Sequence, residues 1–390
     1  MHLLAEEPQD PTLEHMVRVR GRRQPWVAKL RAATLAFAAR LFNYRKYSDT
    51  WRVDLDGLQK GDVRVVLSVL YQPFDEMDLD ELPGAPPEES YYDNLLGQLG
   101  DVEKELSRLD PQQKRHVVVQ SADDLAQLST SKRVGFLHCV EGGFHLGGNV
   151  EDIDRRVEEL ASRGVVYITL AHLFWRQVAT NAPALPFLPD PLYNFIFRQP
   201  RGAGLAPLGE AAVRAMYRHR VLIDISHMRE DAIDATFGLL RELDEQHRAD
   251  PKDFPVIATH AGFRCGRQSY NLSPDTVTRI KERDGVIGLI LAQHQLNDGI
   301  RRHTKNLDQS MSVICRHINA IHRVTRSYDQ VAIGSDFDGF IKPTMGGLER
   351  VADFAKLRAP LERDYPGHAD AILSGNAVRV LHKVLAARPA

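Results

Sequence analysis

Five polar residues stand where five separate apolar runs stop. Glu141 closes VGFLHCVE (134–141) and is followed by Gly142-Gly143. His172 closes VVYITLAH, His227 closes VLIDISH and His260 closes PVIATH. Asp336 closes VAIGSD, with Asp338 two residues on. Imidazole nitrogens and carboxylate oxygens, without a cysteine pair alongside, suit a borderline metal, above all Zn²⁺. A carboxylate can bridge two such ions, and a bridged pair lowers the pKa of water and polarises a substrate carbonyl. An unligated Asp nearby can take and return the proton. Taken singly, a histidine at a strand end is more commonly a structural hydrogen-bonding residue, and a Glu before Gly-Gly a turn residue. The shared position of all five favours a functional cluster.

That position has meaning only if the runs are strands of one sheet. They are short and rich in β-branched residues, with nearly continuous hydrophobicity, as parallel strands covered on both faces should be. Eight can be counted, starting at residues 63, 116, 134, 165, 221, 255, 286 and 331. The run at 116–120 is short enough to be an accessory strand. Amphipathic stretches at 151–163, 209–219, 229–247, 273–284 and 308–324 separate several of them. Such alternation implies βαβ units. The expected fold is therefore α/β, a (β/α)8 TIM barrel of metal-dependent hydrolase type, in which the C-terminal strand ends converge on one mouth. Long Pro- and Gly-punctuated connections at 72–90 and 181–209 are placed to wall a site. The basic stretch 15–47, with Trp26, Leu30, Phe37 and Leu41 at roughly helical spacing, predicts a solvated helix packed on the body, with a membrane-surface or partner-binding helix as the alternative.

Composition narrows the classes. Of 390 residues, 43% are hydrophobic and 26% charged, ordinary globular values. Fifty Lys+Arg against 52 Asp+Glu leave a net charge of −2, which argues against a nucleic-acid partner held by a bulk basic field. No apolar run approaches the ~18 residues that span a bilayer. Cys139, Cys265 and Cys315 lie far apart, which excludes a disulfide scaffold and fits a reducing, cytoplasmic setting. Among the other histidines of the 16, His138 is expected to be packed in the core, facing away from Glu141. His145 is read as supporting the site or exposed, and His294, His303, His317 and His322 as surface residues.

With these motifs in place, the chain resembles the membrane (renal) dipeptidase family, the zinc dipeptidases of the amidohydrolase-like barrels. The matching stretches are VEGG (140–143), GVVYITLAH (164–172), DISH (224–227), THAGFR (259–264), YNLSPDTV (270–277) and GSDFDG (334–339), followed by 347–381. The likeness runs from about residue 50 to the end, within a single barrel domain of 390 residues that carries a helical insertion at 15–60. It implies two zinc ions and hydrolysis of a small dipeptide by a metal-activated hydroxide. It also implies that Glu141 bridges the ions, that His227 and His260 complete one of them, that His172 meets the substrate or the tetrahedral oxygen, and that Asp336 moves the proton. By period-two alternation Asp338 would share its face, so Asp336 and Asp338 remain alternatives. Family members are often homodimers.

Two departures bear on function. The family holds the free carboxylate of its dipeptide with an arginine just before Asn, where this chain has Ser269-Tyr270; Arg264 or Arg267 could substitute. The family also opens with a strand ending in His-x-Asp, and none precedes residue 60. His2 could be half of an equivalent motif whose strand lies upstream of the chosen start, one metal site could be lost, or the N-terminus could thread in differently. Dipeptide hydrolysis thus stands beside two alternatives: hydrolysis of a lactone, phosphoester or cyclic amide, and a non-catalytic relative with one metal site lost.

Overall fold

The computed structural model describes residues 52–388, apart from positions 79, 80, 82, 83, 186, 187, 340 and 342. The stretch expected to be helical at 15–47 and His2 lie outside the described residues. All eight expected runs form strands: β1 (Val65–Leu70), β2 (His116–Val118), β3 (Val134–Glu141), β4 (Tyr167–Thr169), β5 (Leu222–Asp224), β6 (Val256–Ala261), β7 (Val286–Leu289) and β8 (Val331–Ile333).

Every pairing is parallel, in the order β1-β3-β4-β5-β6-β7-β8. The short run is accessory: β2 pairs only with Val134–Phe136 of β3, and β4 takes up the same strand at Val140 and Glu141. The result is an α/β fold around one curled parallel sheet. Among the described residues β1 and β8 have no strand on their outer edges, so the arc is open there.

The five expected amphipathic stretches are helices Ile153–Ser162, Pro207–Arg218, Glu230–His247, Pro274–Glu282 and Leu307–Thr325. In the first of these, Ile153, Arg156, Val157 and Leu160 are buried, one stripe at helical spacing. Pro274 opens the fourth, and the Ser273 hydroxyl caps it by accepting the Thr276 N–H. A further helix, Ser90–Leu109, escapes the periodicity because Asn94 and Gln98 sit on its buried face beside Tyr91, Leu95 and Leu99.

Three strands stop earlier than their apolar runs. His172, His227 and Asp336 each lie three residues past the last strand residue, Thr169, Asp224 and Ile333 respectively. His227, Asp336 and Asp338 have φ of 65°, 53° and 63°. Side chains seldom take this left-handed backbone, and it gathers at functional sites. The alternation expected to put Asp336 and Asp338 on one strand face therefore does not apply, because both belong to a turn.

The register of β6 against β7 shifts between Ala258 and Ala261, where His260 sits. A bulge of this kind re-aims a side chain. It also pushes the Thr259 carbonyl toward the neighbouring strands. A Cβ on Gly288 or Gly334 would collide with that oxygen, so both positions require glycine.

Candidate metal centre

Four neighbouring strands deliver four side chains to the mouth of the arc. Glu141 is the last residue of β3, and His172, His227 and His260 follow from β4, β5 and β6. Their tips converge. Glu141 Oε1 lies 3.4 Å from His260 Nε2, 3.6 Å from His172 Nε2 and 3.8 Å from His227 Nε2. The Nε2 atoms of His227 and His260 are 2.9 Å apart. All three histidines are buried. Among the described residues, the one group found with metal-binding spacing is Glu141, His172 and His227, whose ligand atoms all lie within 4.8 Å of one another, with His260 against two of them.

The arrangement of the donors is set by what lies behind them. Asp224, fully buried at the end of β5, accepts from Thr169 Oγ1, from Ser226 N–H and Oγ, and from Thr259 N–H and Oγ1, at 2.6–3.0 Å. The Thr259 hydroxyl spends its only proton on Asp224, so its contact with His260 Nδ1 at 2.8 Å has the imidazole donating. His260 is thereby held as the Nδ1–H tautomer, with the Nε2 lone pair free to bind a cation. The Tyr270 hydroxyl donates to the His260 carbonyl at 2.8 Å, and its ring meets that of His227 edge-on at 5.1 Å.

His172 is anchored differently. Its Nδ1 lies 2.7 Å from Oε2 of Glu76, a buried residue in the connection after β1. The same oxygen accepts the Tyr71 hydroxyl, and Oε1 accepts the Phe174 N–H.

The residues fit a zinc ion. Two imidazoles and a carboxylate are its usual nitrogen and oxygen donors, and a tetrahedral ion with ligands at about 2.0–2.1 Å needs donors about 3.3 Å apart. Glu141, His227 and His260 span 2.9–3.8 Å. Burial and the neighbouring imidazoles push the His227 pKa well below the ordinary value, which suits a neutral ligand. For His172 burial acts downward too, yet the Glu76 and Glu141 carboxylates outweigh it and hold the imidazole up at about 9. Burial raises the Asp336 carboxyl to about 7, with His260, Glu141 and His172 all within its electrostatic reach.

Asp336 and Asp338 both line the cavity of about 1650 Å³ that opens from this cluster and runs between β1 and β8. The two arginines do not line it. Arg264 is committed to the carbonyls of Asn271 and Ser269 and to Glu230, and Arg267 is exposed.

Some readings of the sequence need amending. His138 is packed as expected, fully buried, and His145 is buried with Nε2 accepting the Gln72 N–H. His317 is not on the surface: it is fully buried, joining the Leu296 carbonyl to the Phe263 N–H. Sequence reasoning passed over Asp224 and Glu76. An acid inside the apolar run VLIDISH was a usable signal for Asp224. Nothing in FDEMDLDE singles out Glu76 from its acidic neighbours.

The family model of the membrane dipeptidases, peptidase family M19, matches residues 19–389. The chain belongs to this family. Among curated relatives of this M19 chain, dipeptidase aclJ of Aspergillus oryzae is 28% identical over 261 residues, covering 65% of the chain and 52% of the relative. The chain thus spans about half the length of that relative. Among solved structures, the M19 metallopeptidase called dipeptidase AC superposes with a TM-score of 0.68 at 20% identity, covering 91% of this chain and 95% of that one. A metallopeptidase from Rhodobacter sphaeroides, described with a phosphinate mimic of the dipeptide L-Ala-D-Ala, gives 0.67 at 20% identity over 89% and 94%. These likenesses place the fold of the M19 chain with theirs.

Proposed function

We propose that this M19 chain is a zinc-dependent dipeptidase. The observation that carries the reading is the convergence of His227 Nε2, His260 Nε2 and Glu141 Oε1 within 2.9–3.8 Å of one another. These three residues would hold one ion, and the free carboxylate oxygen of Glu141 would reach toward a second. Bound there, zinc supplies a Lewis acid that polarises the scissile carbonyl and makes water acidic.

The chain's own residues supply the rest. Asp336, whose carboxyl is lifted toward neutrality, accepts a proton from the attacking water and returns it to the leaving amine. The His172 ring, held protonated beside Glu76 and Glu141 and with Nε2 turned toward the cluster, donates from Nε2 to the oxygen on which charge develops. Burial of the three histidines keeps bulk water from competing for these contacts. Beyond the arc that is described, we propose a (β/α)8 barrel with one further strand between β1 and β8, because both edges face the cavity and every other pairing is parallel.

One observation favours a second substrate class. Arg264 bonds the carbonyls of Asn271 and Ser269 and pairs with Glu230, and neither it nor Arg267 lines the cavity, which speaks against either as partner of a free carboxylate. A lactone, phosphoester or cyclic amide lacks that requirement. The test is turnover of a dipeptide panel beside those three substrate types by purified protein of known zinc content. Turnover of dipeptides that is lost in His260→Ala supports the reading. Zinc-loaded protein that leaves every dipeptide intact while hydrolysing another type overturns it.

A further inference from the structure

Glu76 belongs to the connection that follows β1, in a short helix Pro73–Glu76, and only 2% of its surface is exposed. A carboxylate so deeply buried is costly unless each oxygen is satisfied. Here both are. Oε1 accepts the Phe174 N–H at 2.8 Å. Oε2 accepts the Tyr71 hydroxyl at 2.7 Å and meets His172 Nδ1 at 2.7 Å. The Tyr71 ring stands edge-on to the His172 ring at 4.6 Å, so the imidazole is gripped at its edge and along one side.

This grip decides which nitrogen of His172 does chemistry. A carboxylate has no proton to give, so Nδ1 is the donor, which leaves Nε2 facing Glu141 Oε1 at 3.6 Å. The Phe174 contact then ties the backbone two residues beyond His172 to the same carboxylate, so loop and ring move together. We propose that Glu76 is a positioning residue for the hydrolysis, holding His172 with Nδ1–H on the carboxylate and Nε2 turned to the reacting carbonyl. The inference rests on the dipeptidase reading above for the reaction it serves, but not for the contact itself.

Glu76→Gln probes it sharply. The amide has one acceptor and one donor end, so either the Phe174 N–H or the Tyr71–His172 side meets a second donor. In the zinc-loaded protein kcat is expected to fall about 10–100-fold, the usual cost of an outer-shell partner, with KM within about twofold and zinc content unchanged. In a His172→Asn background the same substitution is expected to add no further loss, since two residues acting through one contact are not additive. Long-range ¹H–¹⁵N NMR of histidine-labelled protein gives a readout apart from activity: a His172 Nδ1–H resonance, assigned by its disappearance in His172→Asn, is expected in wild type and lost or shifted in Glu76→Gln. Glu76→Asp, which withdraws the carboxylate by one methylene, should give an intermediate kcat and covers the case in which the amide variant does not fold.

An additive loss in the His172→Asn background, or an unchanged Nδ1–H signal in Glu76→Gln, would overturn the assignment while leaving the dipeptidase reading intact. Absence of dipeptide turnover in wild type would sink that reading instead, and the NMR comparison would still decide whether Glu76 orients His172.

Discussion

The Nε2 atoms of His227 and His260 lie 2.9 Å apart, each within 3.8 Å of the same oxygen of Glu141. At this distance the two rings share a hydrogen bond, and with a deprotonated Nε2 on each they would be spaced to share a cation. Replacing either histidine by alanine is therefore expected to remove at least one zinc ion per chain and abolish turnover, while the other strand ends keep their places. Metal analysis by mass spectrometry checks this. Chelation of the wild type should reproduce the loss, and zinc should reverse it; full activity in metal-free protein would contradict the site.

Asp224 takes five hydrogen bonds from residues of three strand ends, and through Thr259 it sets the tautomer of His260. Asp224→Asn places an NH₂ group among donors. Zinc affinity should weaken about 10–100-fold, and stability should drop by about 2 kcal/mol. A competition titration with a chromophoric chelator and a urea melt measure the two effects separately.

Gly334 makes room for the Thr259 carbonyl at the bulge that aims His260. Gly334→Ala sets a Cβ against the Thr259 carbonyl oxygen, which no rotamer change can relieve. The expected cost is about 1–3 kcal/mol, with turnover falling more steeply than stability because His260 is displaced. Unaltered turnover in the variant would mean that the bulge does not govern the ligand.

Asp336 faces His260, Glu141 and His172 but is not needed to gather the three proposed zinc ligands. Asp336→Asn should leave zinc content and KM near wild type and lower kcat about 10²–10⁴-fold, the range for loss of a general base. The matching Asp338→Asn variant discriminates between the two acids, since the larger loss marks the one that carries the proton.

Sensitivity to acid follows from buried histidines other than the proposed ligands. Burial lowers His138 to about 4, against partial compensation from Glu103, and His145 to about 3. Between roughly pH 6.5 and pH 4 the unfolded chain binds protons that the fold refuses, so stability is full above that window and falls as the pH drops through it. For His138 alone the loss is about 3 kcal/mol. Urea midpoints of wild type and His138→Gln across that range should show the slope flattening in the variant.

The strands were legible because burial on both faces leaves an uninterrupted apolar run, and β3 is buried along nearly its whole length. Candidate ligands were legible where a polar residue broke such a run at its end, as Glu141 and His260 do. What stayed hidden depended on partners distant in sequence. Glu76 matters only because His172, 96 positions away, comes to lie against it. His317 looked like a surface residue of an amphipathic helix, yet it is buried because the Leu296 carbonyl and the Phe263 N–H flank it. The helix Ser90–Leu109 was obscured because polar Asn94 and Gln98 occupy its inner face and hydrogen-bond there.

The proposed ligands all hang on the consecutive strands β3 to β6, whereas Asp336 follows β8, two strands further along the sheet. A small shift of β8 against β7 would change the spacing between Asp336 and the cluster without moving any proposed ligand. Substitutions along β8 and the helix Asn376–Ala386 behind it should therefore tune the speed of proton delivery while leaving zinc occupancy alone.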